Sequence, residues 1–450
     1  VKQPSAPRIY NLFPRLAGRF TAWGPHLERA ARMGFNWVFL NPVNLTGFSG
    51  SLYSVKDYYA YDTPLVDPAS GDTPEAQLKA ALAAGRQKLG LRFMLDLVVN
   101  HTAIDSPLTR QHPDWYEREE DGSVRHPGAL DGGRWVSWGD LAAVDNAHSP
   151  DRKRLWGYWD RLVAHYQGLG FEGFRCDAAY QVPRGLWRYV IPRARARGEA
   201  LFFAETLGCT VEQTVATARS GFDYVFNSFK WWDLKAPWFV EHYRKTARVV
   251  PSVAFPASHD TPRLAEEVAH AGGAFGPGAE ERLARRCYAA SAAISAGVMM
   301  PVGYEFGFRK RLDVVKTTSA DWEEASYDLS GFIERVNAAK AACPIMNVDS
   351  PPRIVVQESG VEGGAEAHME SDASRAVCLL RKHGEERLLI ALNQDLGEAQ
   401  RVRVNLGRLF GRGAEVRDLL EPGRTLPPRF WDDVLAPGEV RLIYARVPAA

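Results

Sequence analysis

Through roughly the first three quarters of the chain, short apolar runs alternate with longer stretches whose apolar residues recur at helical spacing. The runs predict strands at Ile9–Phe13, Trp37–Leu40, Arg92–Val98, Gly173–Cys176, Leu201–Ala204, Tyr224–Phe226, Val253–Phe255 and Val298–Pro301. Helix-like segments lie between them, among them His26–Met33, Pro74–Leu89, Arg152–Leu169 and Glu280–Ala296. Strands alternating with helices of this size imply βαβ units and a parallel sheet. Eight such units over roughly 340 residues predict an α/β protein built as a closed (β/α)8 TIM barrel carrying insertions.

The largest insertion runs from Thr102 to about Ala143. It is rich in His, Asp, Gly and Pro, lacks strong periodicity, and reads as a loop subdomain over the barrel mouth. After about Ser350 the pattern becomes alternating, at Arg353–Gln357, Ala376–Arg381, Arg387–Asn393, Arg401–Asn405 and Val440–Ala445, with turn clusters such as Gly411-Arg412-Gly413. That is the signature of a small antiparallel β-sandwich. The expected layout is therefore a barrel in 1–101 and 144–349, an inserted subdomain in 102–143, and a C-terminal β domain in 350–450.

Composition narrows the partners. The 450 residues carry 55 Lys+Arg against 54 Asp+Glu, a formal charge of +1, with none of the basic excess that nucleic acid demands. The weakly polar run Cys287–Tyr304 is too rich in Ala, Ser and Gly for a bilayer helix, and is read instead as a buried helix feeding a buried strand. No membrane partner is expected. The five cysteines (Cys176, Cys209, Cys287, Cys343, Cys378) form no Cys-x-x-Cys pair, so reduced thiols and a cytoplasmic location are the expectation. The opening Val-Lys-Gln-Pro-Ser-Ala-Pro has no apolar signal core. It also lacks Met, which leaves room for a longer parent chain and weakens the inference on location.

Barrel active sites sit at the C-terminal ends of the strands. Four polar clusters fall there: Asp96-Leu-Val-Val-Asn100-His101, Gly173-Phe-Arg175-Cys-Asp177, Phe203-Ala-Glu205-Thr206, and Phe255-Pro-Ala-Ser-His259-Asp260-Thr261. Singly, each has an ordinary structural explanation, since strand-end carboxylates often cap helices. Together they put several carboxylates, an Arg and two His on one rim, without a Cys or Ser nucleophile or a metal cage. Retaining glycoside cleavage uses such a set: one carboxylate attacks the anomeric carbon while a second protonates the leaving oxygen. An Arg two residues before the attacking carboxylate keeps it ionised. The acid/base must hold its proton near neutrality, which burial and neighbouring carboxylates favour.

In order and spacing, 81, 28 and 55 residues between Asp96, Asp177, Glu205 and Asp260, these clusters resemble the four signature regions of the α-amylase family of glycoside hydrolases and transglycosidases. The resemblance extends over nearly the whole chain, including Gly438-Glu-Val-Arg-Leu-Ile in the last domain. It implies Asp177 as nucleophile, Glu205 as acid/base, and Asp260 as the third carboxylate on the sugar hydroxyls. Asp96, His101, Arg175 and His259 would surround the −1 sugar, and Tyr53 would be its stacking platform.

There are departures. The Lys-His pair common after the nucleophile, which contributes to an acceptor subsite, is here Tyr180-Gln181. Asn100 and Asp140 match calcium-ligand positions, but the residue supplying the third ligand has changed, so a structural calcium is not the expectation and no cofactor is required. Ile9-Tyr-Asn-Leu-Phe-Pro-Arg, Met33-Gly-Phe-Asn, Asp105-Ser-Pro…His112-Pro-Asp-Trp-Tyr and Gly303-Tyr-Glu-Phe further resemble maltosyltransferases that extend α-1,4-glucans from maltose 1-phosphate. Those enzymes generally lack the His of His259-Asp260.

Trp135 and Trp138, and Trp231, Trp232 and Trp238, are candidates to extend a glucan site, with packing an equal alternative. Arg309-Lys-Arg311 is placed to read a phosphorylated donor, but a solvated basic turn is the preferred explanation. The expected function is cleavage of α-1,4-linked glucan or malto-oligosaccharide through a covalent glycosyl-Asp intermediate. The alternative is transfer of maltosyl or oligoglucosyl units. A catalytically dead binding barrel is disfavoured by retention of all three carboxylates.

Overall fold

Eight parallel strands close a barrel in chain order: β1 (Arg8–Leu12), β2 (Trp37–Leu40), β3 (Arg92–Leu97), β4 (Gly173–Cys176), β5 (Leu201–Ala204), β6 (Tyr224–Phe226), β7 (Ser252–Ala254) and β8 (Gly297–Pro301). These are the strands the apolar runs predict, with ends moved by one residue at β1, β3, β7 and β8. The computed structural model describes residues 6–131, 134–270, 275–355, 367–369, 375–411, 414–427 and 429–447. The chain divides into two compact units. One is Ile9–Phe226 with Leu312–Trp322; the other holds the segment ending at Arg8, Asn227–Arg311, and the chain from Glu323 onward.

In the first unit the helices α1 (Pro74–Leu89) and α2 (Arg152–Leu169) occupy the expected spans. Local chemistry sets their ends. The Thr73 hydroxyl accepts from the Ala76 amide and Pro74 opens α1, while Gly90 takes the left-handed conformation that stops it. Side chains two apart on a strand share a face, and the register carries that face across the barrel: Gly173 pairs with Met94 and Leu201, and Arg175 with Asp96 and Phe203. A Cβ on Gly173 would meet the Trp37 ring at 2.6 Å, and Trp37 in turn packs edge-on to Phe203, with ring centroids 5.9 Å apart. Apolar bulk therefore fills the level of Gly173. Two residues further along the same face come Asp96 and Arg175, and beyond them Asp177 and Glu205.

The insertion carries more order than its sequence pattern suggested. His101–Ala103 pairs antiparallel with Leu141–Ala143, and Gly128–Asp131 forms a hairpin with Arg134–Ser137. Ladders of three or four residues offer too few alternations to register as strands in a sequence.

In the second unit the helix α3 (Ala279–Ile294) runs directly into β8, so the run Cys287–Tyr304 is a buried helix and strand, as expected. Among the described residues, no helix is long and apolar enough to cross a membrane. The C-terminal strands are β9 (Arg353–Ile354), β10 (Ala367–Met369), β11 (Ala376–His383), β12 (Glu386–Asn393), β13 (Gln400–Asn405), β14 (Glu415–Asp418), β15 (Phe430–Leu435) and β16 (Val440–Arg446). They form two antiparallel sheets, β9-β11-β12-β16-β14 and β10-β13-β15. Leu380, Leu389 and Ile443 of the first sheet share one core with Val402, Val404 and Trp431 of the second, which makes the predicted sandwich. Strands β10, β14 and β15 were not anticipated, and residues 356–357 of the expected first strand and 412–413 of the expected turn lie outside the described residues.

Candidate active site

The strand-end carboxylates of the first unit converge on one guanidinium. Arg175 Nη1 donates to both oxygens of Asp96, each at 2.9 Å, and to Asp177 Oδ1 at 2.6 Å. The Asp96 side chain is fully buried and that of Asp177 is 15% exposed, so the attacking candidate is the one that faces open space. Asp96 Oδ2 also accepts the Tyr53 hydroxyl at 2.7 Å. Tyr53 accepts in turn from Asn41 Nδ2 at 3.0 Å, and Asn41 Oδ1 from Asn11 Nδ2 at 2.9 Å. A continuous hydrogen-bonded line thus links β1, the end of β2, the following loop, β3 and β4. Asn11 and Asn41 were not singled out in the sequence. Their signal was an Asn inside an apolar strand run and an Asn directly after one, each a buried polar group that needs partners.

Glu205 is held by two backbone amides. Its Oε2 accepts from the Ala178 amide at 2.9 Å and its Oε1 from the Leu207 amide at 2.6 Å. Ala178, the residue after Asp177, adopts φ 38° and ψ 46°, and is the one non-glycine residue with positive φ among the described residues. Left-handed backbone costs a residue with a Cβ about 1–2 kcal/mol. Here it lets the consecutive amides of Ala178 and Ala179 both turn to Glu205, the second donating to the Glu205 carbonyl at 3.1 Å. The strained peptide therefore couples the nucleophile candidate to the acid/base candidate.

Burial and charge set the protonation states. Burial pushes the Asp96 carboxyl up to about 7, with the Asp177 charge adding to the rise and Arg175 and Tyr53 opposing it. Burial works against the Arg175 charge, but Asp96, the Tyr53 hydroxyl and Asp177 outweigh it and hold the guanidinium firmly protonated. Burial lowers His101 from its ordinary value, against the pull of Asp177. Its Nε2 lies 3.1 Å from the Tyr53 carbonyl, which can only accept, so Nε2 carries the hydrogen. Nδ1 is then a buried acceptor with no protein partner, suited to a sugar hydroxyl.

Six of the eight expected site residues, Tyr53, Asp96, His101, Arg175, Asp177 and Glu205, thus form one constellation in the first unit. His259 and Asp260 belong to the second unit, in the segment after β7. There His259 Nε2 lies 3.1 Å from Asp260 Oδ2, and the Asp260 side chain is 56% exposed. Arg311 donates to the Asp260 carbonyl at 2.9 Å, while Arg309 is neutralised by a two-pronged contact with Glu280. The basic turn is therefore partly spent on structure. Of the aromatics, Trp232 is buried, Trp138, Trp231 and Trp238 are exposed, and the Trp135 side chain lies outside what is described.

A cavity of about 870 Å³ opens beside the Glu205 loop, lined by Asn100, Tyr180, Gln181, Leu207, Cys209 and Gln213 among others. Tyr180-Gln181, where relatives often have Lys-His, thus face open volume without a formal charge. The Asp140 carboxylate accepts the Ser49 hydroxyl at 2.6 Å, and Asn100 Oδ1 is buried with no protein partner. Among the described residues, no group of three or more His, Cys, Asp or Glu is placed to hold a metal ion.

Residues 5–120 match the glucanotransferase domain of glycogen debranching enzyme. An α-1,4-glucan:maltose-1-phosphate maltosyltransferase of Burkholderia pseudomallei is 30% identical over 397 residues, which is 87% of this chain but 33% of the relative. The chain thus spans about a third of that relative's length. Among solved structures, a maltogenic α-amylase of Thermotoga neapolitana superimposes with a TM-score of 0.72 at 18% identity, covering 98% of this chain and 99% of that one. An α-amylase of Geobacillus thermoleovorans complexed with acarbose gives 0.74 at 14% identity, covering 98% and 99%. With its closed eight-stranded barrel and its C-terminal β domain, the chain has the fold of the α-amylases, and in sequence it is similar to the maltosyltransferases.

Proposed function

We propose that this protein is a retaining α-glucan enzyme that cleaves α-1,4-linked malto-oligosaccharide by double displacement. Asp177 attacks the anomeric carbon while Glu205 gives its proton to the departing oxygen, which leaves a glycosyl ester on Asp177. Glu205, now a carboxylate, deprotonates the incoming hydroxyl, which attacks the anomeric carbon as its bond to Asp177 breaks and frees the carboxylate. Arg175 pairs with the Asp177 carboxylate, and Asp96 holds Arg175 in place. The Tyr53 ring supports the apolar face of the sugar, His101 Nδ1 accepts one of its hydroxyls, and Asp260 with His259 binds others as the ring flattens. The observation that carries this reading is the single Arg175 nitrogen shared between buried Asp96 and slightly exposed Asp177, with Glu205 tied to the very next peptide.

Transfer is the second reading, and two observations favour it: the maltosyltransferase relative, and the cavity beside Glu205, large enough for a sugar acceptor. Water and a glucan hydroxyl compete for the same ester, so products decide between them. Maltoheptaose is incubated with the protein, with and without maltose 1-phosphate, and products are resolved by mass. Shorter sugars alone mean hydrolysis. Longer sugars unaided mean disproportionation, and longer sugars only with maltose 1-phosphate mean a phosphate-activated donor. An unchanged mixture in every case refutes the proposal.

A further inference from the structure

The hydrogen-bonded line that reaches Asp96 has a direction, and its far end sets it. Asn11 Nδ2 donates to the Phe39 carbonyl at 3.2 Å and to Asn41 Oδ1 at 2.9 Å. A carbonyl oxygen only accepts, so the atom of Asn11 that faces it must be the amide nitrogen. Asn11 Oδ1 is left buried without a protein partner, because both amide hydrogens are turned the other way. The second of those hydrogens commits Asn41 to present Oδ1 toward β1 and Nδ2 toward Tyr53, to whose hydroxyl it donates at 3.0 Å. Both asparagines are fully buried, which leaves their partners no exchange with bulk water.

The Tyr53 oxygen therefore receives a hydrogen from Asn41, and its own hydrogen goes to Asp96 Oδ2 at 2.7 Å. Asp96 also accepts from Arg175 through both oxygens. Each of these three contacts suits a carboxylate, whereas a protonated Asp96 would have to donate toward a group that already donates to it. The charged and titratable groups facing Asp96 are Arg175, Cys176 and Asp177 from β4 and just beyond it, and Tyr53 from the loop after β2. On its other side β3 pairs with β2, whose residues Trp37–Leu40 carry no charge.

We propose that Asn11 and Asn41 are positioning residues that hold the Tyr53 hydrogen on Asp96, keep Asp96 a carboxylate, and so keep Arg175 divided between Asp96 and the nucleophile. With a proton on Asp96, Arg175 would be left to Asp177 alone and would draw on the charge with which Asp177 attacks. Burial already lifts the Asp96 carboxyl to about 7, and the Tyr53 hydroxyl works against that rise, so the line acts in the range where turnover is measured. This inference rests on the proposed function, because it takes Asp177 as the attacking group.

The test is the pH profile of kcat/KM on maltoheptaose for the wild type, N11L, N41L, Y53F and N11L/Y53F, with thermal melts of each at pH 5 and pH 8.5. Breaking the line should raise the acid limb by about one pH unit, which lowers kcat/KM about ninefold at pH 6 and less than about twofold at pH 8.5. In the Y53F background no hydroxyl hydrogen remains to be directed, so N11L should add less than about twofold at either pH. An asparagine that only fills space would lose the same factor at both pH values and in both backgrounds, and that result overturns the proposal. N41L breaks the line one step nearer and should match N11L; should N11L fail to fold, N41L and N41L/Y53F give the same comparison. If the wild type turns over maltoheptaose and the limb of neither variant moves, the line alone fails. If the wild type leaves maltoheptaose unchanged, the proposed function fails and the melts decide the line. A carboxyl raised further in the fold costs more stability as pH rises, so the drop in Tm from pH 5 to pH 8.5 should be larger in N11L than in the wild type. It should be unaltered by N11L once Tyr53 is Phe; equal drops in the wild type and N11L overturn the line.

Discussion

Replacing Arg175 by Met tests the charge balance at its centre. The guanidinium is buried and its Nη1 serves three carboxylate oxygens on Asp96 and Asp177. Met fills much of the volume but leaves Asp96, whose side chain has no exposure, without its cation. Stripping one partner from a buried pair costs about 3–5 kcal/mol. The loss should depend on pH, and its sign can be worked out. The Asp96 carboxyl is raised to about 7 in the fold from an ordinary 3.8, so the folded state binds the extra proton between those values and its stability falls as pH rises through that window.

Without Arg175, one of the groups opposing that rise is gone, so the Asp96 pKa moves higher still and the penalty extends above pH 7. At pH 5 both proteins hold Asp96 protonated, and the variant should lose less than half of what it loses at pH 8.5. For a chain of this size a loss of 3–5 kcal/mol lowers Tm by roughly 3–5 °C. Thermal melts of the wild type, R175M, D96N and R175M/D96N at the two pH values check this. The double variant, which has no charge at either position, should recover most of the deficit at pH 8.5. Equal deficits at both pH values with no recovery would refute the argument. Turnover of R175M should fall about 10²–10³-fold, as for loss of a buried donor to a reacting oxyanion.

Other outcomes follow from the same geometry. Asp177→Ala should abolish turnover of maltoheptaose while calorimetry still detects the sugar; unchanged turnover would remove Asp177 as nucleophile. Asp260→Asn, at a half-exposed side chain, should leave Tm within about 1 °C while lowering kcat at least tenfold, and an unaffected kcat would assign Asp260 to structure alone. Ala178→Gly relieves a left-handed Cβ and should hold or raise stability by up to about 1 kcal/mol, so a clear fall in Tm would mean that its methyl group is packed. Lys340→Met removes a fully buried ammonium that donates to the carbonyls of Ala292, Ser295 and Met346, the first two at 2.8 Å. It should cost about 3 kcal/mol, read as a lower Tm, and a change under 1 kcal/mol would show that those carbonyls find other partners.

The barrel was legible because its strands are buried on both faces and its helices follow the helical period, so two unlike patterns alternate eight times. Pro74–Leu89 could be bounded to the residue because Thr73, Pro74 and Gly90 write its ends into local chemistry. The site was legible for a related reason. Within Met94-Leu-Asp96 and Gly173-Phe-Arg175-Cys-Asp177, residues two apart share a face, so the change from apolar to charged marks where the packed interior ends and the mouth begins. The strands of the insertion and β10, β14 and β15 were missed because they are short or carry mixed patterns, and their pairing depends on partners distant in sequence.

What no local pattern could supply is the wiring. Asn11 lies 30 residues from Asn41, and Tyr53 lies 43 residues from Asp96, yet the hydrogen bonds between them fix how the tyrosine is held. The same holds for Lys340 and Arg381, two fully buried cations that read in the sequence as ordinary surface residues of a helix and a strand. Lys340 bonds Ala292 and Ser295, Arg381 bonds Ala293, and the Tyr243 hydroxyl bonds Ile294, so together they occupy carbonyls that the end of α3 leaves without helical partners. A cation at a helix C-terminus also meets the negative end of the helix dipole. Since α3 passes straight into β8, securing its last turn fixes where that barrel strand starts. The charge of Arg381, a residue of the C-terminal sandwich, therefore serves the barrel segment, which explains why a strand of a β domain carries a fully buried arginine in an otherwise apolar run.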